Sequence, residues 1–175
     1  MNHKDHVDLL RGGVGSPSGV WADLGCGKGA FTLALAELLD PQSIIYAVDT
    51  DESALAELRR RVRARFPSQD IRPTHADFTQ PLDLPPLDGV VMANSLHFHN
   101  QKEPIVRAVR DLLKPDGRLV LVEYAADRGN PWVPFPISFA KWRELALHCG
   151  FDSTEKIGSK RSSFLREIYS ALSLR

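Results

Sequence analysis

Val20-Trp21-Ala22-Asp23-Leu24-Gly25-Cys26-Gly27-Lys28-Gly29 decides how the rest of the chain is read. It is a short apolar strand followed by a glycine turn, and Ala30-Phe31-Thr32-Leu33-Ala34-Leu35-Ala36 then opens a helix. A strand that delivers such a turn to a helix start brings backbone N–H groups close to a ligand. Gly25, Gly27 and Gly29 remove the Cβ atoms that would obstruct that approach. Asp23, two residues before the first glycine, places a carboxylate where a cationic or donor-rich ligand would lie.

Outward from this stretch, strands and helices alternate. Ala30–Leu39 is apolar on nearly every face, as for a helix packed on a sheet. Ile44–Val48 is a continuous apolar strand ending at Asp49-Thr50-Asp51, and Ser53–Phe66 carries apolar residues at helical spacing. Ile71–His75 is a weaker strand that Pro73 confines to a sheet edge, and a proline-rich connector, Gln80–Pro86, follows. Asp88–Ala93 is the fourth strand. The next helix starts at Pro104 and buries Ile105, Val106, Val109, Leu112 and Leu113. Lys114–Gly117 is a turn into the fifth strand, Arg118–Tyr124. This alternation predicts right-handed βαβ units and a doubly wound, largely parallel α/β sheet.

At the two ends the pattern changes. His6–Leu10 predicts a short helix stopped by glycines, with a turn at Ser16–Gly19 before the first strand. Ala125–Pro136 is irregular. Ser138 predicts the cap of a helix with Phe139, Trp142, Leu145 and Ala146 on one side, ended by Gly150. Ser153–Ile157 and Phe164–Leu172 read as a hairpin joined by Gly158–Ser162.

The totals narrow the class. The 175 residues make one domain's worth of chain, 43% hydrophobic and 25% charged, with a net charge of zero. Bulk attraction to nucleic acid or to an anionic membrane is not indicated. No segment is long and apolar enough to span a bilayer, and no secretory leader is evident, so the expected location is cytoplasmic. Cys26 and Cys149 fit no metal or disulfide pattern, and His97 with His99 lacks a third ligand, so no metal is expected.

In a doubly wound sheet, ligands bind beyond the carboxyl ends of the strands, near the switch in strand order. Each of the first four strands ends on a polar group. Asp49 is spaced to take the two hydroxyls of a ribose. Asp77 can accept from an exocyclic amine, and Phe78 or Leu96 can pack against a purine. Together these describe a nucleoside site with no demand for a triphosphate. Asp49 as a mere helix cap, and Asp77 as a turn former, are the plainer alternatives. Cys26 reads as a turn residue offering its backbone N–H, not as a nucleophile.

The glycine stretch resembles the first motif of class I S-adenosylmethionine-dependent methyltransferases, an acid followed by Leu-Gly-x-Gly-x-Gly. Ala47-Val48-Asp49 is similar to the second motif, whose acid binds the ribose, and Ala76-Asp77-Phe78 to the segment that holds the adenine. Asp88–Leu96 and Leu113–Leu119 resemble the fourth and fifth strands, with Asp116 where a glycine is usual. The match runs over residues 20–124. It implies a seven-stranded, mostly parallel Rossmann-like methyltransferase sheet with an antiparallel C-terminal hairpin, filling residues 1–175. Residues 1–19 would be a short cap and 125–136 a crossover near the substrate side.

The resemblance implies S-adenosylmethionine as cofactor and S-adenosylhomocysteine as product. The implied cofactor-binding set is Asp23, Leu24, Gly25, Cys26, Gly27 and Gly29, then Asp49, Thr50, Ala76, Asp77, Phe78, Asn94 and Leu96. His97 and His99 lie after strand four, near where the activated methyl should point, and are the candidates for a general base. Acceptor choice is expected from Ser95–His99, Ala125–Phe135 and the segment before Val20. The expected acceptor is a small molecule, and a homodimer is one arrangement that would complete the pocket. The arginines at 59, 60, 61, 63 and 65 read first as a solvated helix face and second as an RNA-binding run. A NAD(P)-dependent oxidoreductase and a non-catalytic nucleoside-binding protein are the competing functions. Asp23, whose charge would sit near a pyrophosphate, argues against the dinucleotide.

Overall fold

The computed structural model describes residues 1–162 and 165–175. Its strands, in chain order, are β1 (Val20–Leu24), β2 (Ile44–Asp49), β3 (Asp70–His75), β4 (Leu87–Ala93), β5 (Leu113–Tyr124), β6 (Ser153–Ser162) and β7 (Arg166–Leu174). They form one sheet in the order β3-β2-β1-β4-β5-β7-β6. The first five run parallel, and β7 is antiparallel to both β5 and β6. This is the doubly wound sheet with a terminal antiparallel hairpin expected from the sequence, and β3 with Pro73 is at the edge.

Helices cover both faces. α1 (His3–Arg11), α2 (Ala30–Leu38) and α3 (Glu52–Arg65) pack on one side, where Leu10, Trp21, Leu35, Leu55 and Leu58 are buried. On the other side α4 (Glu103–Leu112) and α5 (Phe139–His148) enclose Leu24, Met92, Val106, Trp142 and Tyr169. A parallel strand covered on both faces is largely apolar, which is why Ile44–Val48 of β2 reads as an uninterrupted run, while β1 and β4 are interrupted by Asp23 and Asp88.

Several local readings need adjustment. α1 begins earlier than its apolar pattern, because Asn2 and Asp5 form a reciprocal capping box. Ser138 stands at the start of α5 but its hydroxyl oxygen accepts nothing from the helix amides, while Gly150, at φ 90°, closes the other end. Leu113 begins β5 instead of ending α4. Lys114–Gly117 is a loop-out within β5 between the paired residues Leu113 and Arg118, with Asp116 at φ 62°. The hairpin turn lies later than expected: Gly158–Ser162 belong to β6, paired with Arg166–Ser170. Phe164, assigned above to the returning strand, lies outside the described residues.

Strand order reverses between β1 and β4, and the carboxyl ends of β1, β2 and β4 converge there. The segment before Val20 goes elsewhere. α1 lies on α2 and β6, and Ser16 and Ser18 stand with Asp88 and Arg118 at the amino ends of the strands, so this segment does not shape the carboxyl-end cleft.

Candidate active site

At the switch point the strand ends enclose a cleft of about 390 Å³. Gly25 contributes from β1, Asp49 and Thr50 from β2, Asp77 and Phe78 from the segment after β3, and Asn94 and Ser95 from β4. Phe98 and His99 close one side from the short 3-10 turn Leu96–Phe98. A larger cavity of about 680 Å³ opens at the start of α4, lined by Lys102, Pro104 and Arg107 among others, and includes none of these strand ends.

Asp49 is not the helix cap. Asp51 caps α3, accepting from the amides of Ser53 and Ala54, which leaves Asp49 at the strand tip. Its carboxylate takes the Gly27 amide at 2.7 Å and the Asp51 amide at 2.9 Å, so it is oriented before any ligand arrives. Asp77 is both turn former and cleft residue. The Thr79 amide and hydroxyl donate to its Oδ1 and hold the carboxyl below its usual range.

The glycine loop works differently from expectation. Its amides are spent inside the protein: Gly25 and Cys26 donate to Val48 O, Gly27 to Asp49, and Gly29 to Cys26 O. A Cβ on Gly25 would meet Ser95 Cβ at 2.4 Å, and one on Gly29 would meet Leu58 Cδ1 at 2.1 Å. Those two glycines therefore make room for the protein's own side chains. Gly27 alone of the three faces open space.

Asp23 also needs correction as a cleft residue. It is 1% exposed, and the Thr32 hydroxyl donates to it at 2.6 Å. The Thr32 amide donates to it too, so Asp23 caps α2 from within the core, where Gly29 has no side chain to do so. Burial raises its pKa to about 7. A carboxyl closing the start of α2 and the commitment of the Gly25, Cys26, Gly27 and Gly29 amides weigh against a pyrophosphate at this loop. Leu24 and Leu96 are buried in the core, and Cys26 is a buried thiol whose pKa burial pushes up, so none of these side chains is offered to a ligand. Ala76 contributes a backbone bond, its amide donating to Asp49 O.

The two histidines separate. His99 stands in the cleft, edge-on to Phe78 at 5.2 Å, and burial lowers its pKa against the opposing charge of Asp77. It lines the cleft beside Asp77 and Phe78. His97 is 3% exposed and packs 4.4 Å from Phe98, just behind the cleft. Glu123, 0% exposed at the end of β5, grips it twice: Oε2 is 2.8 Å from Nδ1, and Oε1 accepts the His97 amide at 3.0 Å. Glu123 also stands at the end of a strand, the fifth, and was not among the residues expected from the sequence.

Across the turn, the Phe135 amide donates to His97 O at 2.9 Å. Asn130 Oδ1 accepts from the Trp132 and Val133 amides and fixes a tight turn. Val133 and Ile137 pack inward, while Trp132, 72% exposed, and Phe135 stand on the rim. The irregular stretch is thus a crossover fastened to the turn after β4.

Residues 22–119 match the methyltransferase-domain family. The chain belongs to that family. It is 40% identical over 80 residues to the ribosomal RNA small subunit methyltransferase H of Paracidovorax citrulli, covering 45% of this chain and 24% of that one. It is 27% identical over 157 residues to a reducing polyketide synthase of Penicillium, covering 77% of this chain and 6% of that protein. The chain therefore spans a quarter or less of these relatives. Among solved structures, the YcgJ protein of Bacillus subtilis shares the fold at TM-score 0.80, 14% identity and 99% coverage of both chains. A Burkholderia thailandensis N1-methyltransferase crystallised with S-adenosylhomocysteine gives 0.77 at 17% identity, covering 99% of this chain and 77% of that one. The CurJ carbon methyltransferase gives 0.74 at 16% identity, covering 90% and 48%.

The methyl donor of this S-adenosylmethionine-dependent methyltransferase family fits the cleft on two observations. Asn94, held at φ 56°, keeps a buried Oδ1 with no partner beside the cleft, and the space over Gly27 is clear.

Proposed function

We propose that this methyltransferase acts on a small-molecule acceptor whose reacting atom must give up a proton, with His97 as general base. The Glu123–His97 pair carries this reading. A carboxylate at Nδ1 fixes the ring so that Nδ1 bears the hydrogen and Nε2 is left as the acceptor of a proton. Glu123 also steadies the imidazolium once that proton has arrived.

S-adenosylmethionine, when bound, supplies a methyl already activated on a sulfonium. The protein then has to align the acceptor and exclude water. Asp49 would hold the ribose and Thr50 stand beside it, with Asp77, Phe78 and His99 around the adenine. Asn94 and Ser95 would border the amino-acid end. Asp23, Leu24, Cys26, Gly29, Ala76 and Leu96 would act through the fold that carries these groups.

A locked, nearly buried imidazole matters most for an acceptor that is not nucleophilic until deprotonated, such as a carbon flanked by carbonyl groups. The likeness to a polyketide synthase and to a carbon methyltransferase supports that class. Likeness to an rRNA enzyme supports the second reading, a nucleic-acid acceptor. The arginine run weighs against it. Arg59, Arg60 and Arg65 pair with Glu52, Glu57 and Glu37, and Arg61 donates to Lys28 O. Phe98, Trp132 and Phe135 would form the acceptor wall, completed in a homodimer by a second copy. The two free thiols, Cys26 and Cys149, suit a reducing, cytoplasmic setting.

The test is transfer of labelled methyl to β-dicarbonyl, phenol, amine and rRNA acceptors by wild type and His97→Gln. Transfer to the carbon acid, reduced in kcat about 10²–10⁴-fold in the variant, is expected for a lost general base. Labelling of rRNA alone, or an unaffected variant, would contradict the proposal.

A further inference from the structure

The cavity of about 680 Å³ at the start of α4 has no part in the cofactor site. Its wall is made by the residues that lead into α4, by Arg107 on that helix and by Leu145 of α5. Donors predominate in it. The side-chain amides of Asn100 and Gln101 have no hydrogen-bonding partner among the described residues. Glu103, the one acid of the lining, is already engaged: Arg107 Nε donates to it at 3.0 Å, and His148 Nε2 lies 3.2 Å away.

Lys102 is the cation left without an acid. It is 9% exposed, and lysine is rarely so buried unless an anion pairs with it. Yet it forms no ion pair among the described residues. Its Nζ donates to His99 O at 2.6 Å and lies 5.8 Å from the centre of the Phe135 ring. That carbonyl occupies one of three ammonium protons, and neither it nor the ring neutralises the charge. Lys102 also joins two spaces. It lines the cavity, while His99, whose carbonyl it holds, lines the cleft. Phe135 is tied in turn to His97, its amide donating to His97 O.

We propose that the α4 cavity is a subsite for an anionic group on the methyl acceptor, a carboxylate or a phosphate, with Lys102 as its countercharge. This deepens the small-molecule reading and rests on it: the reacting atom lies at His97, and the charged end extends past Phe135 to Lys102. Pro104 and Leu145 give the stem of such an acceptor an apolar surface. A neutral acceptor leaves the ammonium unpaired, so Lys102 selects acids over their neutral analogues through binding.

Anion binding is read first, on protein without acceptor or cofactor. Acetate and inorganic phosphate are titrated separately, at constant ionic strength, into nitrogen-labelled wild type, Lys102→Gln and Lys102→Arg, following the backbone amides from Asn100 to Glu103 by NMR. Saturable shifts are expected, and the tighter of the two anions tells carboxylate from phosphate. Binding should weaken at least about tenfold in Lys102→Gln, the scale of one hydrogen bond to a charged group, and persist in Lys102→Arg. Shifts that do not saturate, or that match in wild type and Lys102→Gln, overturn the proposal. Should Lys102→Gln not fold, the ammonium of wild type gives a second reading. Burial pushes its pKa down, and a bound anion has to move its titration to higher pH. A titration unmoved by either anion is equally fatal. In methyl transfer, a β-keto ester with a terminal carboxylate should show a KM at least about tenfold below that of its neutral amide, with kcat unchanged. Equal KM values count against the subsite and leave His97 untouched. No transfer to either acceptor counts against the proposed function instead, and the anion titrations then decide the subsite on their own.

Discussion

Asp23 shows at the scale of one side chain how the site is built. Its carboxyl is kept in the core by the work of capping α2, and burial raises its pKa from 3.8 to about 7. Between those values the folded chain binds more protons than the unfolded one, so this group's contribution to stability is fullest at low pH and falls as pH rises. Asp23→Asn should remove that dependence. Urea denaturation across the window would show wild type losing stability with pH relative to the variant, by at most about 1.4 kcal/mol per pH unit. Parallel slopes would mean that Asp23 is ionised in the folded state. The sequence placed an acid before the glycines but could not show which way it faces. Asp23 shares a strand face with Trp21, and that face is buried under α1 and α2.

At the scale of elements, the glycine loop is a packing device as much as a binding one. Gly29, at φ 80°, begins α2 directly against Leu58 of α3. Gly29→Ala meets both a left-handed backbone and a contact that Leu58 has to vacate. It should cost at least about 1–2 kcal/mol in thermal or urea unfolding, the backbone penalty alone. A variant as stable as wild type would show that the loop relaxes. The parallel strands and their helices were legible because burial on two faces demands long apolar runs. The hairpin was not, because β6 is an edge strand paired only to β7. Its polar, half-exposed residues Gly158–Ser162 look like a turn until a partner is seen. Glu123 was hidden for a related reason, as a lone acid ending an apolar strand whose partner, His97, lies 26 residues away.

For the whole molecule, net charge and charge arrangement agree. The chain is neutral, and the arginines that looked like an RNA-binding run are mostly engaged by acids of α2 and α3 or by the glycine loop. Strand order then does what the residues alone cannot, bringing Gly25, Asp49, Phe78 and Asn94, spread over 70 positions, to one cleft. The most direct test of that convergence is calorimetric titration of S-adenosylhomocysteine into wild type and Asp49→Ala, with NAD as the parallel ligand. The account predicts saturable binding of the sulfur nucleoside by wild type, no binding of NAD, and affinity more than about tenfold weaker in the variant, which loses charge-assisted bonds to the ribose. Equal affinities for the two proteins, or binding of NAD in place of S-adenosylhomocysteine, would contradict it.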